Sequence, residues 1–161
     1  MKMNRSAWKK YALFIGTAEA VGALAGWLIR PGVVWYTQNA AKPPLSPPPA
    51  VFPIVWTLLY ALMGIGAARV SLRENSRRQR RALRLWGLQL AFNFGWSLLF
   101  FLQRAYGFSF LWLTVLWVLI LAMTLDFREV DAPAAWLQLP YILWVLFAGY
   151  LNFGVWMLSR A

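Results

Sequence analysis

The stretch that decides the fold reads KPPLSPPPAVFPIVWTLLY and occupies residues 42–60. Proline fixes φ and has no N–H, so residues 42–49 form a stiff, extended or folded segment and not a helix. This segment leads directly into an apolar run that is long enough to cross a membrane. We therefore predict a rigid proline-rich loop over residues 30–49, which includes Trp35 and Tyr36, and interpret it as the lid of a ligand pocket.

The composition around this stretch is that of an integral membrane protein. Of the 161 residues, 61% are apolar and 11 are tryptophan, and the mean hydropathy is +0.54, which is too high for a soluble domain of this length. The chain contains no cysteine and no histidine. Disulfides, thiolate chemistry and the usual zinc sites are therefore excluded, and a haem iron would have only Met or Tyr as axial ligand.

Five apolar runs are long enough to be membrane spans. Each has about 18–25 residues, which is the length that crosses a hydrocarbon core, and the backbone in lipid must pair internally as a helix. The first run contains Ala18-Glu19-Ala20, which looks like a signal-peptide cleavage site, but it continues apolar to Ile29 and so favours a retained helix. The prediction is an all-α membrane protein, a single five-helix transmembrane domain over 1–161 with spans at about 11–29, 50–68, 83–102, 108–125 and 134–158.

Lysine and arginine divide unequally between the two ends of these spans, and this predicts the orientation. By the positive-inside rule the N-terminus lies in the cytoplasm of a bacterial cell, with the proline-rich loop and the C-terminus outside. The arginines of 77–84 fit contact with anionic lipid headgroups; RNA binding is the alternative, and we predict no nucleic-acid partner. One end carries Lys2, Arg5, Lys9, Lys10, Arg69, Arg73, Arg77, Arg78, Arg80, Arg81, Arg84 and Arg128, and the other carries Arg30, Lys42, Arg104 and Arg160.

Helical spacing places aromatic and amide side chains in stripes on three of the spans. An amide inside a span normally faces the bundle interior, because an unpaired amide is costly in lipid. Aromatic walls with a few amides are typical of a site for a flat apolar ligand. The stripes are Phe52, Trp56, Tyr60 and Met63 on the second span, Gln89, Asn93, Trp96 and Phe100 on the third, and Trp144, Ala148, Leu151 and Asn152 on the fifth.

Each of these patterns also has a purely structural interpretation. The aromatic rings can simply pack helices together, and the amides can link them. Glu19, the one acid within a predicted span, is either a proton or cation site or a group in a wet groove that pairs with an amide. Beside it Ala18, Gly22 and Gly26 form a small-residue face, which suits contact within the bundle, the interpretation we favour, or between two copies.

Four groups of residues match a known set of motifs. They are Trp35-Tyr36 with Lys42-Pro43 and Pro47-Pro48, VWTLLY at 55–60, QLAFN at 89–93 with Trp96 and Phe100-Phe101, and PYILW at 140–144 with Ala148 and YLN at 150–152. Together they resemble the first-loop, second-helix, third-helix and fifth-helix motifs of the tryptophan-rich sensory proteins, homologues of the mitochondrial translocator protein (peripheral benzodiazepine receptor). The likeness extends from Trp35 to about Trp156.

This resemblance implies a five-helix bundle, often a homodimer, that binds porphyrins such as protoporphyrin IX, sterols and synthetic isoquinoline or benzodiazepine ligands beneath the first loop. No resident cofactor or metal is implied; the tetrapyrrole is a ligand, and membrane lipids are the other partners. Carried over by motif, the ligand-binding residues are Tyr36, Pro47, Phe52, Trp56, Tyr60, Asn93, Trp96, Trp144, Ala148 and Leu151.

The chain departs from the family pattern at three places. The first loop has one extra residue before Lys42, and Leu45 stands where the family usually has tryptophan. Trp112 stands early in the fourth span, where many members carry an acid. The C-terminus lacks the cholesterol-recognition pattern, because Tyr150 is too far from Arg160. These departures imply a differently seated lid and argue against a sterol-specific role.

Three functions remain open at this point. The first is a receptor or sensor for tetrapyrroles and related flat hydrophobic ligands. The second is a transporter of porphyrins or sterols, against which the lack of repeated halves and broken helices argues. The third is an enzyme that degrades porphyrin in light, with Trp56 and Trp144 as redox-active residues; ordinary acid–base or nucleophilic catalysis lacks its usual residues here.

Overall fold

The helices of the protein are seen in a computed structural model, which describes residues 5–160. The predicted all-α membrane bundle is confirmed, because five helical segments are long and apolar enough to span a membrane. The helices are α1 (Arg5–Asn39), α2 (Val51–Ser71), α3 (Arg77–Ser97, continued by a π-helical turn Leu98–Leu102), α4 (Tyr106–Val130), α5 (Ala132–Trp136) and α6 (Leu139–Leu158). The third span comprises α3 with its π turn, and the fifth comprises α5 with α6.

The connections between helices define two ends of the bundle. What we call the basic end contains the beginning of α1, the turn at 72–76 and Asp131. What we call the proline end contains residues 40–50, here named the connector, together with the turn at 103–105 and the C-terminal end of α6. Helix α1 packs along α2, and α4 packs against both α3 and α6.

The predicted start of the proline-rich loop at residue 30 is wrong, because α1 continues as far as Asn39. The helix contains Pro31. Proline inside a membrane helix is tolerated where neighbouring groups compensate for the lost hydrogen bond. Here Gly32 lies against the backbone carbonyl of Phe101, and the Tyr36 ring lies 5.7 Å from the Phe101 ring centroid. Packing against the π turn therefore keeps residues 30–39 helical, and the connector is shorter than predicted.

The predicted fifth span, 134–158, is interrupted near its beginning. The Asp131 side chain accepts a hydrogen bond from the Ala134 N–H at 3.3 Å and so caps the short helix α5. A turn at Leu137 and Gln138 follows, and Pro140 occupies the first turn of α6, where its missing N–H costs nothing. The main transmembrane helix of this span therefore begins at Leu139.

The small residues of α1 differ in whether they contact the rest of the bundle. Ala18 is fully buried, and Gly22 lies directly against the Tyr60 ring, so both serve contact within the bundle. Gly26 has open space where a Cβ would stand. The favoured interpretation, packing inside the bundle, holds for Ala18 and Gly22. Glu19 is half-buried, and among the described residues its carboxylate forms neither the predicted bond to an amide nor an ion pair.

Ion pairs hold the basic end together. Asp131 is nearly inaccessible and binds Arg69 at 3.1 Å and Arg73 at 2.7 Å. Burial raises the pKa of its carboxyl, but the hydrogen bonds from Arg73, Arg69 and the Ala134 N–H lower it further, so the net pKa lies below the ordinary value. The turn between α2 and α3 is thereby joined to the end of α4.

A second acid binds part of the predicted arginine cluster. Asp126 lies 3.2 Å from Arg81 and 4.0 Å from Arg78, and Arg78 also reaches Glu129 at 3.5 Å. These contacts account for two members of the cluster without lipid. Lipid headgroups remain the predicted partner for Arg77, Arg80 and Arg84, which are exposed, whereas Lys2 lies outside the described residues.

Candidate ligand pocket

The three predicted stripes converge in the half of the bundle nearer the connector. The Trp56 ring centroid lies 6.5 Å from that of Trp96 and 6.3 Å from that of Tyr141, so α2, α3 and α6 share one aromatic cluster. Tyr60 joins it from one turn further along α2, 5.6 Å from Trp56. The rings face inward, since Tyr60 and Trp96 are buried. The predicted convergence of indole and phenol rings is therefore present.

Phe52 and Trp144 form a second wall beside this cluster. Their ring centroids lie 5.9 Å apart, and both residues are half-buried, as is Trp56. The Trp144 Nε1–H is buried and has no hydrogen-bond partner. A buried donor without a partner is costly, so this N–H is available to an acceptor on a guest molecule.

A chain of hydrogen bonds links three helices behind the aromatic rings. The Tyr60 hydroxyl donates to Asn93 Oδ1 at 3.4 Å, Asn93 Nδ2 donates to the Tyr141 hydroxyl at 2.8 Å, and that hydroxyl donates to Gln89 Oε1 at 2.7 Å. Both polar atoms of the Asn93 amide are thus occupied by protein groups. This supports the structural interpretation for Asn93, an interhelical link rather than a free ligand contact.

The second amide, Asn152, has the same linking role. Its Oδ1 accepts from Trp96 Nε1 and from the Ser109 hydroxyl, both at 3.0 Å, and its Nδ2 donates to the Tyr106 carbonyl at 2.8 Å. The bond from Trp96 fixes the orientation of an indole in the aromatic cluster. Helices α3, α4 and α6 are consequently held together around a ring that the sequence predicts as a pocket wall.

The connector lies against α6. Pro43 is buried on Gly154, where an added Cβ would stand 2.5 Å from the Pro43 Cβ. The Tyr150 hydroxyl donates to the Pro44 carbonyl at 2.9 Å, and the Ser46 hydroxyl donates to the Pro43 carbonyl at 2.7 Å. Proline rigidity and these few contacts position the connector.

Leu45, at the position where the family usually has tryptophan, points away from the bundle. Its side chain is 81% exposed, and its backbone has φ of 66°, in the left-handed region. Leu45 therefore supplies no wall to the aromatic cluster. The departure at Trp112 is structural: its Nε1 donates to the Phe92 carbonyl at 2.7 Å, and its ring stacks on Phe92.

The predicted site residues fall into groups in the structure. Trp56, Tyr60 and Trp96 form the central cluster, with Asn93 behind it. Tyr36 reaches the cluster indirectly, through Phe100 at 5.4 Å and Phe101 at 5.7 Å, both of which contact Trp96. The others are Phe52 and Trp144 as the second wall, Ala148 and Leu151 buried on α6, and Pro47 half-buried on the connector.

Tyr141 and Gln89 are part of the site although the sequence-based set omits them. Tyr141 is fully buried and connects Trp56, Asn93 and Gln89. It lies three residues before Trp144 on α6, so helical spacing places it on the same face and could have revealed it. Gln89 belongs to the predicted third-span stripe, and its amide nitrogen contacts Met63 Sδ at 3.7 Å.

Two cavities lie outside this cluster. One is a groove of about 420 Å³ between α4 and α6, whose walls include Leu113, Trp117, Val145 and Gly149. The other has about 270 Å³ and lies at the proline end, between the ends of α1 and α6 and the beginning of α4. Among residues 5–160, His, Cys, Asp and Glu form no group that could hold a metal ion.

These features define a class: a multi-pass integral membrane protein of five helices, with an aromatic interior beneath a proline-rich connector. Residues 14–157 match the TspO/MBR family. The chain is 35% identical to the tryptophan-rich protein TspO of Chlorobaculum tepidum, covering 92% of this chain and 94% of the relative. It is 37% identical to the tryptophan-rich sensory protein of Cereibacter sphaeroides (92% of each) and 35% identical to the translocator protein of Ovis aries (78% and 75%). The chain belongs to the TspO/MBR family.

Proposed function

We propose that this protein is a membrane receptor or sensor that binds tetrapyrroles, protoporphyrin IX first among them, beneath the connector. Sterols and isoquinoline carboxamides are further ligands of the same flat, hydrophobic kind. The observation that carries the proposal is the half-buried wall of Phe52, Trp56 and Trp144, in which the Trp144 Nε1–H has no partner. The names of two relatives, a sensory protein and a translocator protein, agree with a role in recognising or moving small molecules.

Binding requires a rearrangement at the proline end. The rings of Trp56, Trp96 and Tyr141 contact one another, so a planar guest must separate the α2 wall from the α6 wall. The amide links of Asn93 and Asn152 hold the deeper part of the bundle. The guest then lies between Trp56 and Trp144, with an acceptor towards Trp144 Nε1, and its carboxylates reach Lys42 or Arg30 at the rim.

The proposed orientation follows from the predicted charge asymmetry. The basic end faces the cytoplasm of a bacterial cell, and the connector faces outwards. A ligand would then arrive from the outer side or from the outer half of the bilayer.

A porphyrin titration of the full chain in detergent tests the proposal. The readout is the absorbance and fluorescence anisotropy of protoporphyrin IX, because removing tryptophan alters protein fluorescence directly. We expect saturable binding at low stoichiometry, and the double variant Trp56→Ala/Trp144→Ala should weaken it at least about tenfold, since two aromatic contacts are lost. The matched control, Trp27→Ala/Trp136→Ala, removes two exposed tryptophans and should bind normally. Equal affinity in both double variants would refute the site.

Transport is the second candidate, and the groove between α4 and α6 favours it. This groove is apolar and lies on the surface of the bundle, where it could guide a lipid-like molecule along the helices. Proteoliposomes that contain only this protein distinguish the two functions. Porphyrin or sterol flux above that of empty liposomes supports transport, whereas saturable binding without flux supports the receptor.

A further inference from the structure

We propose that the smaller cavity, at the proline end, binds the headgroup of an anionic phospholipid such as phosphatidylglycerol. It has a volume of about 270 Å³ and is lined by residues that include Trp35, Asn39, Tyr106, Val155, Leu158 and Ser159. The residues that line it do not belong to the proposed tetrapyrrole site. Lys42 lies beside both sites, and for this reason it is kept in every variant that tests the proposal.

Three of the four cations predicted for this end flank the cavity. Lys42 directly follows the lining residue Ala41, Arg104 precedes Tyr106 by two positions, and Arg160 directly follows Ser159. Each of the three is thus a near neighbour in sequence of a lining residue, and Arg104 also lies against the lining ring of Trp35. The fourth cation, Arg30, lies more than a helical turn before Trp35 on α1.

Each of the three flanking cations lies over an aromatic ring. The Arg104 guanidinium carbon is 3.7 Å from the Trp35 ring centroid, Lys42 Nζ is 5.5 Å from that of Tyr36, and the Arg160 guanidinium carbon is 5.7 Å from that of Trp156. A ring face holds a cation in position but leaves its net charge in place. An arginine positioned in this way can still bind a phosphate with two parallel hydrogen bonds.

No acidic side chain lies near these cations. All five acidic residues of the chain are described, and none lies at the proline end. The ion pairs among the described residues all involve Asp126, Glu129 or Asp131 at the opposite end. The acidic side chains therefore leave these cations available to an external anion.

The walls of the cavity indicate an amphipathic anion. Val155 and Leu158 form an apolar side, which suits the glycerol and first acyl carbons of a lipid. Asn39 and Ser159 are the polar lining residues, and their side chains already donate to the Trp35 and Trp156 carbonyls, so the flanking cations would hold the phosphate. The volume is below the ~300–1,000 Å³ typical of pockets for drug-sized ligands, and so suits a headgroup better than a macrocycle. Tryptophan and tyrosine side chains are also common at the depth where headgroups lie.

Native mass spectrometry of the full chain in detergent tests this assignment, with phosphatidylglycerol and phosphatidylcholine as probes. We expect selective retention of phosphatidylglycerol. Arg104→Gln should lower its affinity about tenfold, because a charge-assisted contact is lost. Arg30→Gln is the matched control: it removes one charge from the same end without bordering the cavity, and should leave the affinity within about twofold.

A second variant tests the role of the cavity independently of the role of the cations. Ala40→Leu keeps every cation and fills part of the cavity, and it should also reduce phosphatidylglycerol binding. Unfolding midpoints check that each variant is folded, and protoporphyrin IX binding should persist in Arg104→Gln and in Ala40→Leu, neither of which changes a residue of the proposed tetrapyrrole site. Equal retention of the two lipids, equal effects of Arg104→Gln and Arg30→Gln, or saturation by inorganic phosphate in place of the lipid would each overturn the proposal.

Discussion

The two ends of the bundle are held by different kinds of interaction. At the basic end, buried carboxylates bind exposed arginines, and Asp131 alone joins two arginines and caps α5. At the proline end, the connector rests on Gly154 and on one hydrogen bond from Tyr150, and the cations lie over rings without acidic partners. The basic end is therefore fixed by buried ion pairs, whereas only a few contacts hold the connector at the proline end.

The largest effect is expected when the ion pairs of Asp131 at the basic end are removed. In Asp131→Asn the buried carboxylate that binds Arg69 and Arg73 becomes a neutral amide. The free energy of unfolding should therefore fall by about 2–3 kcal/mol. This is less than the full cost of breaking a buried ion pair, because both arginines are partly exposed. Detergent unfolding followed by circular dichroism measures this. Glu129→Gln removes an exposed acid with one 3.5 Å contact and should leave stability almost unchanged. Equal midpoints for the two variants would contradict the comparison.

Acid should weaken the same end through the same carboxylate. The pKa of Asp131 is lowered in the folded protein, so its contribution to stability is fully present above the unfolded-state pKa of about 3.9 and is lost as the pH falls through the lower folded-state value. The unfolding midpoint measured from pH 7 downwards should therefore drop below about pH 4. In Asp131→Asn this part of the drop should be missing; an unchanged pH profile would exclude Asp131 as its source.

A smaller effect is expected where the connector meets α6. Gly154→Ala places a methyl group 2.5 Å from the Pro43 Cβ, and the stiff proline ring cannot yield, so stability should fall by about 1–2 kcal/mol. Limited proteolysis of the connector should also become faster. Gly149→Ala on the same helix meets only Leu113 Cδ2 at 3.9 Å and should be neutral or stabilising by a few tenths of a kcal/mol, roughly the helix-propensity gain. Identical behaviour of the two alanine variants would remove Gly154 as the seat of the connector.

The smallest effect is expected at the single hydrogen bond between α6 and the connector. Tyr150→Phe removes the hydroxyl that donates to the Pro44 carbonyl but keeps the ring, and should cost about 0.5–1 kcal/mol. Hydrogen exchange should rise in the connector and in the first turn of α2, and remain unchanged around Asp131. Faster exchange at both ends would show that the two ends are not independent.

The sequence predicts the positions of the membrane spans better than the contacts between them. Length and hydropathy locate all five membrane spans, because the bilayer requires a minimum length and an apolar composition of any helix that crosses it. The end of α1 could not be predicted, since Pro31 and Gly32 are local helix breakers, whereas the helix continues past them where Gly32 and Tyr36 pack against Phe101. Tertiary packing overrides local preference there.

The candidate site shows the same division. Spacing along α2, α3 and α6 predicts which rings meet, because each stripe is a property of one helix. The partners of the amides could not be predicted, since Asn93 pairs with Tyr141 across two helices and its bonds depend on the rotation of both. Likewise, spacing identifies Trp144 as a wall residue but does not show that its N–H lacks a partner.

The backbone of Leu45 has a consequence for the environment in which this protein is studied. A leucine in the left-handed region costs about 1–2 kcal/mol, and its side chain is offered outwards at the tip of the connector. Transfer of a leucine side chain from water into hydrocarbon returns about 1.5–3 kcal/mol. Contact of this leucine with the apolar part of the bilayer interface would offset the backbone strain, so the stability of the connector should depend on the lipid or detergent around it. Hydrogen exchange in the connector should for this reason differ between short-chain detergent and native-thickness bilayers.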